Sequence, residues 1–310
     1  MRIYKHSRLV GILGCAATFV MVGCAANGIA PTTGSTASAP LGSAHVVHYM
    51  ATRYAARTVA PNSGLLFSYY NGPVLLKPKI YLIFWGYKKY GDPDKVAPLL
   101  EAYTKVEGGS LHNNDYVQYY LLVGGKKFYI TNPKGQQGGV WFDETNPVPK
   151  SPNDIQVSNE ALAGVAHFGY DASASYLVAT PHGRSTQGFG SGFCAYHSST
   201  QDGTNLVSYT NFPYIPDAGV ACGSNSIAPP KDESAVDEGV TITAGHEYGE
   251  SITDPLPPTG WYNFEDGEIG DYCDWQDIQN DLFGNNSYTS QPMYSNATGT
   301  CVQVSNNAAT

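Results

Sequence analysis

The chain has 310 residues, of which 17 are Lys or Arg and 26 are Asp or Glu, giving a formal net charge of −9. This acidic balance argues against a nucleic-acid partner, because phosphate binding requires a basic surface. Only 14% of the residues are charged, whereas Gly, Tyr and Pro are plentiful. The composition is typical of an extracytoplasmic, loop-rich protein and not of a helical bundle, and the length allows one large domain or two small ones.

The first 23 residues have the pattern of a signal peptide. A basic region at residues 2–8 precedes an apolar run at residues 9–22, which is too short and interrupted for a spanning helix. Residues 21–24, MVGC, are similar to a bacterial lipobox, which predicts lipidation of Cys24 and an outer-membrane lipoprotein. The alternative is ordinary cleavage slightly further on, which would release a periplasmic or secreted protein.

Residues 24–71 are interpreted as a flexible tether or a removable pro-segment. Residues 27–43 consist largely of Gly, Ser, Thr, Ala and Pro, which bury too little apolar surface to fold. The folded domain is therefore expected to start near Gly72 and to span residues 72–310. A membrane contact is expected only through the lipid anchor.

The hydrophobic pattern predicts both strands and helices within this domain. Residues 79–85, KIYLIFW, are a continuous apolar run typical of a buried strand, and residues 175–180 are a second one. A helical spacing at residues 94–106 accommodates Pro98 in the first turn. Further assignments are a helix from Asp237 to about Thr253, a helix or aromatic strand at 115–123, and strands at 127–131 and 207–211.

These elements predict a mixed α+β fold, a single globular domain with a central β-sheet. Four cysteines follow the signal region, and an even number in an exported protein indicates disulfides. Four cysteines allow three connectivities, of which nearest-neighbour pairing, Cys194–Cys222 and Cys273–Cys301, is preferred. The fold is therefore expected to be disulfide-stabilised.

The sequence TITAGHEYGESITDP at residues 241–255 contains the strongest chemical signal. His246 and Glu250 are four residues apart, so on a helix they share one face and can bind the same metal ion. Glu247 occupies the position of the general base in HExxH zinc peptidases, although here the second His is replaced by Glu. Gly245 and Gly249 are costly inside a helix unless another group approaches it closely.

The third metal ligand is predicted to be Glu268, which lies 18 residues after Glu250. That separation is similar to the spacing between the second and third ligands of thermolysin-like zinc peptidases. Asp271 is the alternative third ligand, or else a carboxylate that orients His246. Asp254 and Asp266 add negative charge to the same region, which favours a bound cation.

The motif HExxExxTDP is followed by Gly260-Trp261-Tyr262 and by Glu268-Ile269-Gly270-Asp271-x-Cys273. This series resembles the phosphate-induced-protein/EXORDIUM-like family and its bacterial relatives. The resemblance implies a shared fold and a shared metal-like motif across most of residues 72–301. Plant members of that family are described as secreted, cell-wall-associated growth regulators.

The predicted activity is metal-assisted hydrolysis of a peptide or protein substrate. His246, Glu250 and Glu268 or Asp271 would bind zinc, with manganese or calcium as alternatives for an oxygen-rich site. Glu247 would act as general base and then general acid. His197, Tyr262 or Tyr248 would supply a hydrogen-bond donor to the developing oxyanion.

A second hypothesis is a non-catalytic surface protein with a structural metal site, such as a wall- or glycan-binding module. It is based on the many aromatic residues, because sugars stack on exposed rings. The tryptophans that would serve this role are Trp85, Trp141, Trp261 and Trp275. The sequence does not indicate whether the protein is a monomer or an oligomer.

Overall fold

The computed structural model describes residues 47–56, 66–227 and 233–306, which form a mixed α+β domain around a six-stranded sheet. The strands, in chain order, are β1 (His48–Ala51), β2 (Ser68–Tyr69), β3 (Lys79–Trp85), β4 (Tyr120–Val123), β5 (Lys126–Tyr129), β6 (Gln137–Asp143), β7 (Ala174–Ala179), β8 (Phe193–Asp202), β9 (Asn205–Phe212), β10 (Trp261–Tyr262), β11 (Gln279–Phe283), β12 (Asn286–Ser290), β13 (Met293–Ser295) and β14 (Thr300–Val302). The α-helices are α1 (Tyr87–Tyr90), α2 (Val96–Glu107), α3 (Asp154–Phe168) and α4 (Glu238–Thr253). Short 3-10 segments lie at Asn113–Gln118, Ile215–Cys222, Glu233–Asp237 and Asp271–Cys273.

The main sheet has the strand order β1-β8-β9-β7-β3-β6. Strands β6, β3, β7 and β9 run parallel to one another, whereas β8 is antiparallel to both β9 and β1. The remaining strands form four two-stranded ribbons. The sheet is thus mixed, with its antiparallel end at β1 and β8.

Helices cover both faces of the sheet, which explains why β3 is apolar along nearly its whole length. Ile80, Leu82 and Phe84 point into the larger core, which contains residues of α2 and α4. Ile83 and its neighbours point to the other side, where they pack with residues of α3 such as Val157. The HExxE helix α4 therefore lies against one face of the sheet.

Most predicted elements are present. The strand at residues 79–85 has the expected bounds, and the predicted helix after it is α2. Helix α4 ends at Thr253, where Asp254-Pro255 was expected to stop it. Residues 115–123, predicted as either a helix or an aromatic strand, contain some of each. A 3-10 segment ends at Gln118, and strand β4 follows it.

Among the strands of the main sheet and the helices that cover it, the sequence did not predict α3, β1, β6 or β8. Helix α3 starts with a capping box. The backbone N–H of Gln156 donates to the Asn153 side chain, and the backbone N–H of Asn153 donates to the Gln156 side chain. Strand β6 contains Gly138 and Gly139, which permit close approach of the Tyr81 and Phe168 rings. Glycine lowers strand propensity, so the local pattern of β6 was weak.

The predicted start of the domain at Gly72 is too late. Residues 48–51 form β1, which pairs with β8 at the edge of the main sheet, and Met50 is fully buried. Backbone hydrogen bonds and burial therefore hold this part of the predicted tether in the domain. The predicted signal peptide, Cys24 and the Gly- and Ser-rich stretch lie outside the described residues.

Both preferred disulfides are present. Cys194 of β8 bonds Cys222, and Cys273 bonds Cys301 of β14. The second bond links the segment that follows Asp271 to the C-terminal ribbon. Within residues 47–56, 66–227 and 233–306, no helix is long and apolar enough to cross a membrane.

Candidate metal centre

Helix α4 runs through the interior, and every residue from Gly239 to Thr253 is buried. Its two internal glycines allow tyrosines from other elements to touch the helix backbone. A Cβ on Gly245 would lie 2.6 Å from Tyr103 Oη, and a Cβ on Gly249 would overlap Tyr116 Oη. The close approach expected from these glycines is therefore present.

The motif residues on α4 face the antiparallel end of the sheet. His246 Nε2 lies 3.2 Å from Glu250 Oε1, as the four-residue spacing predicts. Glu250 Oε1 also accepts hydrogen bonds from the backbone amides of Gly270 (3.1 Å) and Asp271 (2.9 Å). Hydrogen bonds from these backbone amides thus join the loop after β10 directly to the HExxE helix.

Two further histidines reach the same place from the sheet. His48 of β1 and His197 of β8 are directly opposite each other in the antiparallel register, and both are at least largely buried. Side chains of directly opposed residues share one face of a sheet. His197 was predicted as an oxyanion donor, whereas His48 was missed because its segment was assigned to the tether.

Three histidines and three carboxylates alternate around a closed ring. Asp271 lies between His246 and His48, with Oδ1 3.7 Å from His246 Nε2 and Oδ2 3.9 Å from His48 Nδ1. Glu268 lies between the two sheet histidines, with Oε2 3.2 Å from His48 Nδ1 and Oε1 3.5 Å from His197 Nε2. Glu250 closes the ring, because its Oε2 is 3.6 Å from His197 Nδ1.

Other polar side chains surround this ring. Glu247 Oε2 lies 3.3 Å from His197 Nδ1, and Asp274 Oδ1 lies 3.4 Å from His246 Nδ1. Gln291 Nε2 is 3.0 Å from the same His246 nitrogen. The orienting position on His246 that was considered for Asp271 is therefore held by Asp274 and Gln291, neither of which was identified from the sequence.

Asp254 has a different place. Its Oδ1 accepts hydrogen bonds from the backbone amides of Thr259 (3.2 Å) and Gly260 (2.8 Å), so it anchors the turn after α4. Asp266, the other extra carboxylate noted in the sequence, lines the cleft beside the ring. Neither residue occurs in the three possible ligand groups found among the described residues.

The buried charged groups of the ring shift one another's pKa values. Burial lowers the pKa of His48, but the charges of Glu268 and Asp271 more than offset this effect and raise it to about 9. Burial also opposes protonation of His246, yet its neighbours, Glu250 foremost, raise that pKa well above the ordinary value. Burial raises the pKa of Glu247 to about 7, against the opposing effect of His197 and His246. Such an environment favours bound cations.

The donor atoms of the ring could hold a metal ion. His246 Nε2, Glu247 Oε1, Glu250 Oε2 and both Glu268 carboxylate oxygens are buried without a hydrogen-bond partner. Unpartnered buried polar atoms are costly unless a ligand satisfies them. Donors about 2.1 Å from one tetrahedral ion lie about 3.4 Å apart, and the ring contacts span 3.2 to 3.9 Å.

Three groups of side chains could hold an ion, and each contains one histidine. They are His246 with Glu250 and Asp271, His48 with Glu268 and Asp271, and His197 with Glu247 and Glu250. Both candidates for the third ligand thus lie in the ring. Asp271 lies in the same group as His246 and Glu250, whereas Glu268 lies in the His48 group.

A cleft of about 420 Å³ opens beside the ring. Its lining includes His48 and Asp271, together with Tyr262, Phe264 and Glu265. The side chains of His48 and Asp271 are 13% and 17% exposed, whereas those of the other ring members are fully buried. Solvent therefore reaches the ring from the His48 side.

The other predicted donors and binding residues lie in different environments. Tyr262 lines the cleft, with its ring centroid 5.0 Å from that of His48. The Tyr248 hydroxyl is buried and donates to Gln136 Oε1 at 2.9 Å, so it is directed away from the ring. Trp85 and Trp261 are buried, which leaves neither ring free to stack on a sugar.

Comparison of the chain with protein-family models, curated proteins and solved structures finds no match.

Proposed function

We propose that this protein is a metal-dependent hydrolase of peptide bonds, with zinc as the favoured ion. His246, Glu250 and Asp271 would hold the ion, and Glu247 would act as the general base. The observation that carries the proposal is the position of Glu247. It lies next to the ligand His246 in the motif, its Oε1 is buried without a hydrogen-bond partner, and it shares a possible ligand group with Glu250 and His197.

A bound zinc ion would acidify a water molecule and polarise the substrate carbonyl. Glu247 would take the proton from the water as the new C–O bond forms, and would pass it to the amide nitrogen as the C–N bond breaks. The contact of His197 Nδ1 with Glu247 Oε2 leaves Oε1 as the oxygen that receives the proton. His197 then positions the base, and Tyr262 in the cleft is the better placed oxyanion donor.

A second candidate function is a non-catalytic surface protein whose fold is stabilised by the metal. It is favoured by the full burial of Glu247, Glu250 and Glu268, which limits the access of a substrate. Calcium or manganese would suit this role because carboxylate oxygens dominate the site. The two functions differ in their dependence on Glu247, since only a hydrolase requires a base beside the ligand.

The test is elemental analysis and casein hydrolysis on the same samples of wild type, His246→Ala and Glu247→Gln. We expect zinc in the wild type, loss of zinc in His246→Ala, and retained zinc without hydrolysis in Glu247→Gln. His167→Ala is the matched control, because that histidine stacks on Trp141, outside the ring. Calcium or no metal in the wild type, without chelator-sensitive hydrolysis of casein, would refute the peptidase. Hydrolysis that survives in Glu247→Gln would refute the role of Glu247 as the base.

The resemblance to the phosphate-induced-protein/EXORDIUM-like family is likewise a proposal. It is supported by the joint position of its motif residues in one ring, which includes His246, Glu250, Glu268 and Asp271. We further propose export as an outer-membrane lipoprotein lipidated at Cys24. The two disulfides are compatible with an exported protein, and mass spectrometry of the processed N-terminus tests the lipid.

A further inference from the structure

We propose that the ring binds two divalent cations, with Asp271 bridging them. The second site consists of His48, Glu268 and Asp271, and it adjoins the site of His246 and Glu250. It would accept a borderline or hard ion such as zinc or manganese, because its donors are one imidazole and two carboxylates. The inference uses the first cation site but does not require hydrolytic activity.

The orientation of Asp271 is the first argument. Its two oxygens face different histidines, with Oδ1 towards His246 Nε2 at 3.7 Å and Oδ2 towards His48 Nδ1 at 3.9 Å. A carboxylate that presents one oxygen to each of two ligand groups has the geometry of a bridge. In two-metal hydrolases the ions lie about 3.5–4 Å apart, a separation that one carboxylate spans.

The second argument is the state of Glu268. Its side chain is fully buried, and both carboxylate oxygens have no hydrogen-bond partner. Glu268 does not belong to the His246 group, so an ion bound there leaves its two oxygens with only the histidine contacts of 3.2 and 3.5 Å. An ion between Glu268 Oε2 and His48 Nδ1, which are 3.2 Å apart, would remove this cost.

The third argument is charge. Five carboxylates lie in the ring or against its histidines, and each possible ligand group contains only two of them, so one divalent ion leaves the others without a cation. They are the ring members Glu250, Glu268 and Asp271 and the neighbouring Glu247 and Asp274. The group around His197 is the less suitable second site, because all of its members are fully buried, whereas His48 and Asp271 border the cleft through which an ion can enter.

The experiment is a titration of the metal-free full-length protein with Mn²⁺, followed by equilibrium dialysis and electron paramagnetic resonance. We expect two ions per chain in the wild type with an exchange-coupled spectrum. His48→Gln should bind one ion and give the spectrum of an isolated ion. His167→Ala should remain like the wild type, and near-ultraviolet circular dichroism checks that each variant is folded.

Saturation of the wild type at one ion, or two coupled ions in a folded His48→Gln, would overturn the inference. If His48→Gln fails to fold, Glu268→Gln replaces it, with the same expected loss of one ion. The outcome is independent of the proposed peptidase. One ion with casein hydrolysis would refute the second site alone, whereas two ions without hydrolysis would refute the peptidase alone.

Discussion

Replacement of Glu160 by Gln is expected to raise the free energy of unfolding relative to the wild type, by an amount that grows as the pH rises. Glu160 of α3 is buried, and its carboxyl is close enough to that of Asp143, at the end of β6, for the two to interact. Burial, and then the charge and hydrogen bond of Asp143, raise the pKa of Glu160 from 4.5 to about 9. The folded protein therefore retains a proton that the unfolded chain releases. Gln would donate an N–H to Asp143 at every pH.

The sign and magnitude follow from proton linkage. Between pH 4.5 and pH 9 the folded state binds more protons at Glu160 than the unfolded state, so its free energy of unfolding falls as the pH rises. The contribution of this carboxyl changes by up to about 1.4 kcal/mol per pH unit, or about 3 kcal/mol between pH 6 and pH 8. Glu160→Gln removes this dependence.

Urea denaturation at pH 6, 7 and 8 measures the effect. The difference in the free energy of unfolding between Glu160→Gln and wild type should grow in favour of the variant at each step. Glu144→Gln is the control, because Glu144 follows Asp143 directly but is exposed. Parallel pH profiles for wild type and Glu160→Gln would show that Glu160 is ionised in the folded protein, and would refute the reasoning.

Three further predictions concern the ring and its supports. Gly270→Ala should weaken metal binding about tenfold or more, because its Cβ would lie 2.8 Å from Glu250 Oε1 and 2.9 Å from His246 Nδ1. A chelator competition assay measures this affinity, and an unchanged value would contradict the prediction. Removal of the metal by EDTA should lower the Tm in calorimetry, because an ion that binds only the folded state stabilises it; an unchanged Tm would argue against a bound ion. The double replacement of Cys273 and Cys301 by Ser should lower the free energy of unfolding by about 3–4 kcal/mol, because the disulfide closes a loop of about 28 residues and restricts the unfolded chain. Urea denaturation measures this change, and a loss below about 1 kcal/mol would indicate that the bond is not formed.

The sequence was informative wherever local geometry decides the outcome. The four-residue spacing of His246 and Glu250 puts both on one face of α4, because an α-helix repeats every 3.6 residues. The apolar run of β3 indicated a strand covered on both sides. Gly245 and Gly249 indicated a close approach to the helix, although their partners, Tyr103 and Tyr116, were not identifiable.

Local patterns were less informative where strand pairing decides the structure. His48 lies in a short segment between stretches of weak pattern, and its place in the sheet depends on pairing with β8, which is about 150 residues further along the chain. Strand β8 was itself not recognised, so no pairing partner was available for β1. The weak pattern around Gly138 and Gly139 similarly concealed β6.

The amino-acid sequence by itself determined which metal-binding residue types lie on α4 and in the loop after it, and that four cysteines were available to pair. Only the tertiary structure decided which of them meet. The loop after β10 brings Asp271 to His246 and turns Glu268 towards His48, because backbone amides of Gly270 and Asp271 bind Glu250. Such contacts depend on burial and long-range register, which no periodicity along the chain encodes.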